Sequence, residues 1–287
     1  MPIVQSSSAF PVSSVLVLGA TGKTGMRVAQ GLRAHGVTVR EGSRNASPAF
    51  DWEDATTWPA ALAGMEGVYI SYQLDLAAPG AEATITAFVY AAKAAGVRHL
   101  VLLSGRGEPA AQRCEAIVQT SGLGWTVLRA AWFNQNFSEG HLLEPVLAGV
   151  IALPGGNVAE PFVDAGDLAD AAVAAFTDAR HLGQLYEMTG PRALTFAEVA
   201  DILSDALGRD IHYQPMETGA YVDMLSDYVP REFAEFLGGL FSEVLDGRNM
   251  HVADGVQRAL GRAPRDFADY VREVAKTRVW DAAEALR

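Results

Sequence analysis

One stretch near the start constrains this chain most. Val15-Leu16-Val17-Leu18 runs into Gly19-Ala20-Thr21-Gly22-Lys23-Thr24-Gly25, and a helical pattern follows through His35. An apolar β-type run that empties into three spaced glycines and then a helix is the βα turn of a dinucleotide site. Gly19 makes the tight turn. Gly22 lets the backbone approach a pyrophosphate, and Gly25 lets helix and strand pack closely. Unpaired N–H groups at the helix start, around Thr21, Lys23 and Thr24, face the phosphates.

The pattern repeats down the chain. Met26, Val28, Ala29 and Leu32 give one helix face, which Gly36 ends. Strands are expected at Val37–Arg40, near Ala49–Trp52, at Gly67–Ser71, Val97–Ser104 and Trp125–Arg129. Helices are expected at Thr57–Ala63, Ala81–Ala95 and Pro109–Thr120. Strand and helix in alternation imply a Rossmann-like, doubly wound α/β fold with a mostly parallel sheet. Such a sheet binds ligands beyond the carboxyl ends of its strands. The places to search are therefore 19–25, 42–45, 71–76, 104–108 and 130–137.

The second half differs. A Gly/Pro-rich loop spans Leu153–Val163. An Ala-rich helix covers Asp167–Thr177, capped at Asp164 or Asp167, and a short strand covers Leu185–Met188. Thr195 and Glu198 have the spacing of a capping box for a helix through Leu207. Residues 215–287 read as mainly helical.

Composition narrows the partners. Lys and Arg number 22 against 34 Asp and Glu, a net charge of −12. That charge repels nucleic-acid backbones and anionic membranes, so neither is an expected partner. No apolar run is long enough to cross a bilayer, and the N-terminus lacks the pattern of a signal peptide. Cys114 is the lone cysteine, which excludes an intramolecular disulfide and points to the cytoplasm. The six histidines show no metal-ligand spacing, so no metal is expected.

The second strand ends in Glu41-Gly42-Ser43-Arg44. A site for NAD wants a carboxylate at that tip, to accept from the ribose 2′-OH. Here the tip carries Ser43 and Arg44, and a guanidinium suits a 2′-phosphate. Glu41 lies too early, within the strand. The expected cofactor is NADP(H). The chain then divides into a flexible tail at 1–12, an NADP-binding domain at 13–155 that also takes in about 162–190, and a smaller substrate-side lobe at 191–287.

A common arrangement for alcohol and ketone chemistry places Tyr four residues before Lys on one helix face, where the Lys lowers the phenol's pKa. The lysines here stand at 23, 93 and 276, and none has a Tyr four residues before it. Hydride addition to a C=N⁺ iminium needs no such acid. Tyr72, Asp75, Ser104, Arg106 or Glu108 are candidate replacements.

The glycine loop, Ser43-Arg44, Trp125-Thr126-Val127-Leu128-Arg129, Phe162-Val163-Asp164 and Gly261-Arg262-Ala263-Pro264-Arg265-Asp266-Phe267 together resemble the NmrA-like branch of atypical short-chain dehydrogenases/reductases. Phe50-Asp51-Trp52, Thr57-Trp58, Trp132 through Glu139 and Val279-Trp280 resemble the ergot-alkaloid agroclavine/festuclavine dehydrogenase type and its bacterial relatives. The resemblance spans about residues 14–280. It implies NADPH-dependent reduction of an iminium or similarly activated C=N/C=C substrate. It leaves open a non-catalytic NADP(H) sensor, and a non-redox cyclase or isomerase on the same fold.

It also implies adenine contacts at Asp51 and Trp52, and cofactor-ribose contacts at Ser71 and Tyr72. Ser104 is expected near the nicotinamide ribose. Trp132, Phe133, Asn134, Asn136 and Phe137 join aromatic faces to amides, which suits a flat or cationic small molecule. Tyr72, Ser104 and Trp132 are the candidates nearest the chemistry. Arg129 is expected to make a structural pair. The oligomeric state is open.

Overall fold

In the computed structural model, which describes residues 11–73 and 75–281, β1 (Ser14–Leu18) is buried at every position. A strand apolar on both faces is what a sheet covered on both sides requires. It turns at Gly19 into α1 (Lys23–Ala34), whose buried Val28, Ala29 and Leu32 form one stripe. β2 (Thr38–Gly42) returns in parallel beside β1, with Leu18 opposite Gly42. The alternation continues through α2 (Trp58–Leu62), β3 (Gly67–Ile70), α3 (Ala81–Ala94), β4 (His99–Gly105), α4 (Pro109–Gln119) and β5 (Gly124–Ala130). β3 pairs in parallel with β1 on one side and β4 on the other.

Next come α5 (Leu143–Ala148), β6 (Val150–Leu153), β7 (Ala159–Glu160), α6 (Ala165–Thr177) and β8 (Gln184–Met188). The six-stranded sheet has the order β2-β1-β3-β4-β5-β8. This is the expected Rossmann-like α/β fold. The remaining elements are β9 (Leu194–Thr195), α7 (Phe196–Leu207), β10 (His212–Pro215), α8 (Thr218–Leu225), α9 (Arg231–Val244), α10 (Gly255–Leu260) and α11 (Phe267–Ala275).

The chain forms two compact units. The first takes the residues up to Ser104, then Ala110–Leu128 and Ala169–Tyr186. Leu16, Ile70, Phe88 and Leu102 lie in its core. The second takes Gly105–Pro109, Arg129–Leu168 and the residues from Glu187 onward, around Phe137, Phe162, Phe196, Phe267 and Trp280. Residues 129–155 thus fall in the second unit, with the C-terminal segments.

Several local expectations meet the structure directly. Thr195 and Glu198 form a reciprocal capping box on α7. Asp164 caps α6, its Oδ1 accepting from the Gly166 N–H at 2.7 Å. Arg129 pairs with Glu187 at 3.0 Å.

Others are corrected. No strand forms at 49–52; the Phe50 N–H donates to the Ser43 carbonyl at 2.9 Å, and Phe50 packs into the core from a loop. The run is apolar because its rings are buried, not because it joins the sheet. Most of the expected tail lies outside the described residues. Its last residue, Val12, is buried, and its N–H donates to the Phe176 carbonyl at 3.3 Å. Two small pairings were not visible in the pattern: β6 with β10 in parallel, and β7 with β9 antiparallel.

Candidate functional site

The cofactor candidates all lie in the first unit. Gly19 has φ +66°, a left-handed turn that favours glycine, and its carbonyl accepts from the Gly22 N–H at 2.9 Å. A Cβ on Gly25 would stand 2.2 Å from the Gly19 carbonyl oxygen, so no larger residue fits. Gly22 is the N-cap of α1; no side chain caps this helix and no acidic residue occupies its first turn. Its opening N–H groups and the positive end of its dipole are thus arranged for an anion. Thr21 and Gly22 are exposed, Lys23 is partly exposed, and Thr24 is buried. These residues fit the pyrophosphate of a dinucleotide.

At the tip of β2 the Ser43 carbonyl accepts from the Ala46 and Phe50 N–H groups, which closes the loop behind it. Ser43 is half-buried. Arg44 is exposed, and among the described residues no hydrogen bond or ion pair engages it. Glu41 lies within β2 and pairs with Arg33 at 2.6 Å. The Glu41 carboxylate is therefore taken, and among the described residues the Arg44 guanidinium is not.

Asp51 closes a turn. Its Oδ1 accepts from the Glu53 N–H at 3.0 Å, and its carbonyl accepts from the Trp58 indole N–H at 2.7 Å. Trp52 is partly buried, with ring centroids 4.9 Å from Phe50, 4.9 Å from Tyr72 and 5.0 Å from Phe88. Tyr72 is held by that edge-on contact, with its ring partly exposed. Ser71 stands against the glycine loop; a Cβ on Gly19 would come within 3.2 Å of its side chain. The structure thus gathers Gly19 with Ser71, and Trp52 with Tyr72.

Ser104 departs from expectation. It is buried, and its hydroxyl donates to the buried Glu115 carboxylate at 2.7 Å. It does not present a free hydroxyl at the strand tip. Two of the other replacement acids, Asp75 and Arg106, are engaged too. Asp75 accepts from the Ala77 N–H at 2.7 Å. Arg106 is buried, donating to the Asn249 carbonyl at 3.0 Å and to His251 Nε2 at 2.7 Å.

The substrate candidates lie in the second unit and divide into two groups. Phe137 is wholly buried, its ring 5.6 Å from Phe162 and 5.3 Å from Phe267, and its carbonyl accepts from the Trp280 indole N–H. Phe137 is core, which corrects its assignment to the substrate. Asn134 is also buried, with Nδ2 at 3.5 Å from the Asp164 carboxylate that Gln135 reaches at 3.0 Å. It serves that polar knot rather than an open surface. Trp132, Phe133 and Asn136 keep partial exposure. The Trp132 ring lies 5.0 Å from Phe241, 5.7 Å from Phe196 and 6.3 Å from the exposed His141.

Sequence reasoning missed Glu160. It sits on β7 with no exposed surface, and neither carboxylate oxygen has a hydrogen-bond partner. Burial pushes its pKa up to about 7, against the pull of the Arg106 guanidinium. Nearby Glu187 is drawn the other way. Burial raises its pKa, but the Arg129 hydrogen bond and the charges of Arg106, Arg129 and His251 outweigh that and hold it below the usual range. A Glu within a Gly/Pro-rich stretch carries no sequence signal for such burial.

Comparison with known proteins places this geometry. The family described as NAD(P)H-binding matches residues 19–179. Prestalk A differentiation protein A of Dictyostelium discoideum is 27% identical over 91% of this chain and 92% of its own length. Agroclavine dehydrogenase of Claviceps fusiformis is 30% identical over 91% of this chain and 96% of its own. The triphenylmethane reductase of Citrobacter sp., solved with NADP(H), superposes with a TM-score of 0.73 at 24% identity, covering 91% of this chain and 99% of that one. The chain belongs to the NAD(P)H-binding family.

Proposed function

We propose that this oxidoreductase uses NADPH to reduce an iminium or similarly activated C=N/C=C bond in a flat or cationic small molecule of secondary metabolism. The bound nicotinamide supplies the hydride. The protein's own contribution is position and exclusion of water. The observation that carries the reading is that no Tyr stands four residues before Lys23, Lys93 or Lys276 in the sequence. Lys93 donates to the Ser121 carbonyl at 2.9 Å, and Lys276 pairs with Glu273 at 2.6 Å. Neither lowers the pKa of a tyrosine that would protonate an alkoxide. An iminium asks for no such proton, because hydride alone makes the neutral amine. The Trp132 face with Phe241 and His141 supports a planar cation. Agroclavine dehydrogenase, at 30% identity, bears a name consistent with this chemistry. The buried thiol of Cys114 fits a cytoplasmic setting; no described helix is long and apolar enough to cross a membrane.

Purified protein given a dihydroisoquinolinium ion is expected to oxidise NADPH, with NADH much poorer. Tight NADP(H) binding without turnover across imine, enone and quinone panels overturns the reading in favour of a nucleotide sensor. Product formed without NADPH consumption identifies a cyclase or isomerase.

A further inference from the structure

A polar atom without a partner lies beneath the glycine loop. Tyr69 sits on β3 with no exposed surface, and its hydroxyl has no hydrogen-bond partner. Buried polar atoms in folded proteins are almost always bonded, so an orphan hydroxyl asks for a reason. Phe would fill the same space and bury no oxygen.

The position of Tyr69 within the first unit supplies the reason. Side chains alternate along a strand, so Gly67, Tyr69 and Ser71 share one face. A Cβ on Gly67 would meet the Phe176 ring at 2.8 Å, and a Cβ on Gly19 would meet the Ser71 side chain at 3.2 Å. Tyr69 stands between these two contacts, opposite Val17 of β1. Burial pushes the phenol's pKa up, and the Thr24 hydroxyl beside it pulls the other way. The two hydroxyls thus neighbour each other without a formed hydrogen bond. Thr24 is itself buried, and it is the second residue of α1. Its backbone N–H is therefore one of the donors that a helix start leaves unsatisfied.

We propose that Tyr69 is a positioning residue for the dinucleotide: its O–H bonds the Thr24 hydroxyl when an anion settles on the start of α1, and that bond holds the glycine loop in its binding form. This rests on the dinucleotide site and on no choice of substrate. An anion accepting from the opening N–H groups fixes the first turn from outside. The phenol fixes the same turn from below, through the Thr24 side chain. Two contacts that favour one loop position strengthen each other by linkage. The desolvated hydroxyl of Tyr69 is a cost that binding then relieves.

Tyr69→Phe keeps the ring in the core and removes only the oxygen. Its stability without nucleotide is expected to equal or exceed wild type, because an unbonded buried hydroxyl is lost. NADPH and NADH are both expected to bind roughly three- to tenfold more weakly, the worth of one net hydrogen bond. The losses are equal because both nucleotides carry the pyrophosphate and only one carries the 2′-phosphate. In a Thr24→Val background, the further change Tyr69→Phe is expected to alter affinity by less than about twofold, since the partner is already gone. A second readout needs no turnover. The NMR resonance of the Tyr69 ring carbon that bears the hydroxyl, assigned by its loss in Tyr69→Phe, is expected to move when NADPH is added to wild type and to stay put in Thr24→Val. Unchanged affinity in Tyr69→Phe, as when a buried water satisfies the phenol throughout, overturns the proposal. So does a loss of stability alongside the loss of affinity, or the same affinity loss with and without the Thr24 hydroxyl. Wild type that binds neither nucleotide overturns the dinucleotide site itself, and this proposal with it.

Discussion

The Gly25 Cα approaches the Gly19 carbonyl so closely that a Cβ there would stand 2.2 Å from the oxygen. The obstacle is backbone, which cannot swing aside as a side-chain tip can. Gly25→Ala is therefore expected to cost about 1–3 kcal/mol by overpacking, and to weaken NADPH binding by displacing the loop. Denaturant unfolding and a fluorescence titration check both. An alanine variant of wild-type stability and affinity contradicts the close-packing account.

Ser104 and Glu115 form a buried hydrogen bond at 2.7 Å. Removing the hydroxyl takes a donor from a buried carboxylate, at about 1.5–3 kcal/mol for a bond to a charged group. Ser104→Ala is expected to lose stability of that order while holding NADPH about as well as wild type. A large loss of affinity at unchanged stability would restore Ser104 to the cofactor's contacts.

Phe137 fills the core between Phe162 and Phe267. Phe137→Ala is expected to lower stability by about 3–5 kcal/mol, the usual cost of so large a cavity. Truncating Trp132, which keeps partial exposure, is expected to raise KM instead. Calorimetry and steady-state kinetics on the pair separate packing from binding.

His99 gives the stability a pH dependence. Burial, with nearby His181, pushes its pKa down to about 4. Its Nε2 lies 3.1 Å from the Thr126 hydroxyl. Between about pH 6.5 and 4 the unfolded chain takes up a proton that the folded one refuses. Stability therefore falls as pH drops through that window, by an amount on the order of 3 kcal/mol for a shift of this size. His99→Gln is expected to flatten that slope; equal slopes in both proteins would contradict the assignment.

What the sequence made legible follows from where the physics is local. The glycine loop, the capping box at Thr195 and Glu198, and the cap at Asp164 each depend on residues within a few positions of one another. Pairings between distant segments were hidden. His212-Tyr213-Gln214-Pro215 has no strand pattern, and becomes β10 only because Val150–Leu153 lies beside it. Phe50 and Trp52 looked like a strand because burial alone makes a short apolar run. Among the site candidates, residue type predicted chemistry but not exposure. Ser104, Asn134 and Phe137 carry suitable atoms that the fold turns inward, while Glu160 is orphaned by contacts no local pattern records.

The central claim is an NADPH site built from the uncapped start of α1 and the unpartnered Arg44. Titrating wild type and Arg44→Ala with NADPH and NADH tests it most directly. The variant is expected to bind NADPH more weakly by roughly 1.5–3 kcal/mol, about tenfold to a hundredfold, through loss of hydrogen bonds to a charged 2′-phosphate. Its NADH affinity should be unchanged. Equal losses for both nucleotides, or none for either, would contradict the assignment of Arg44 to the 2′-phosphate.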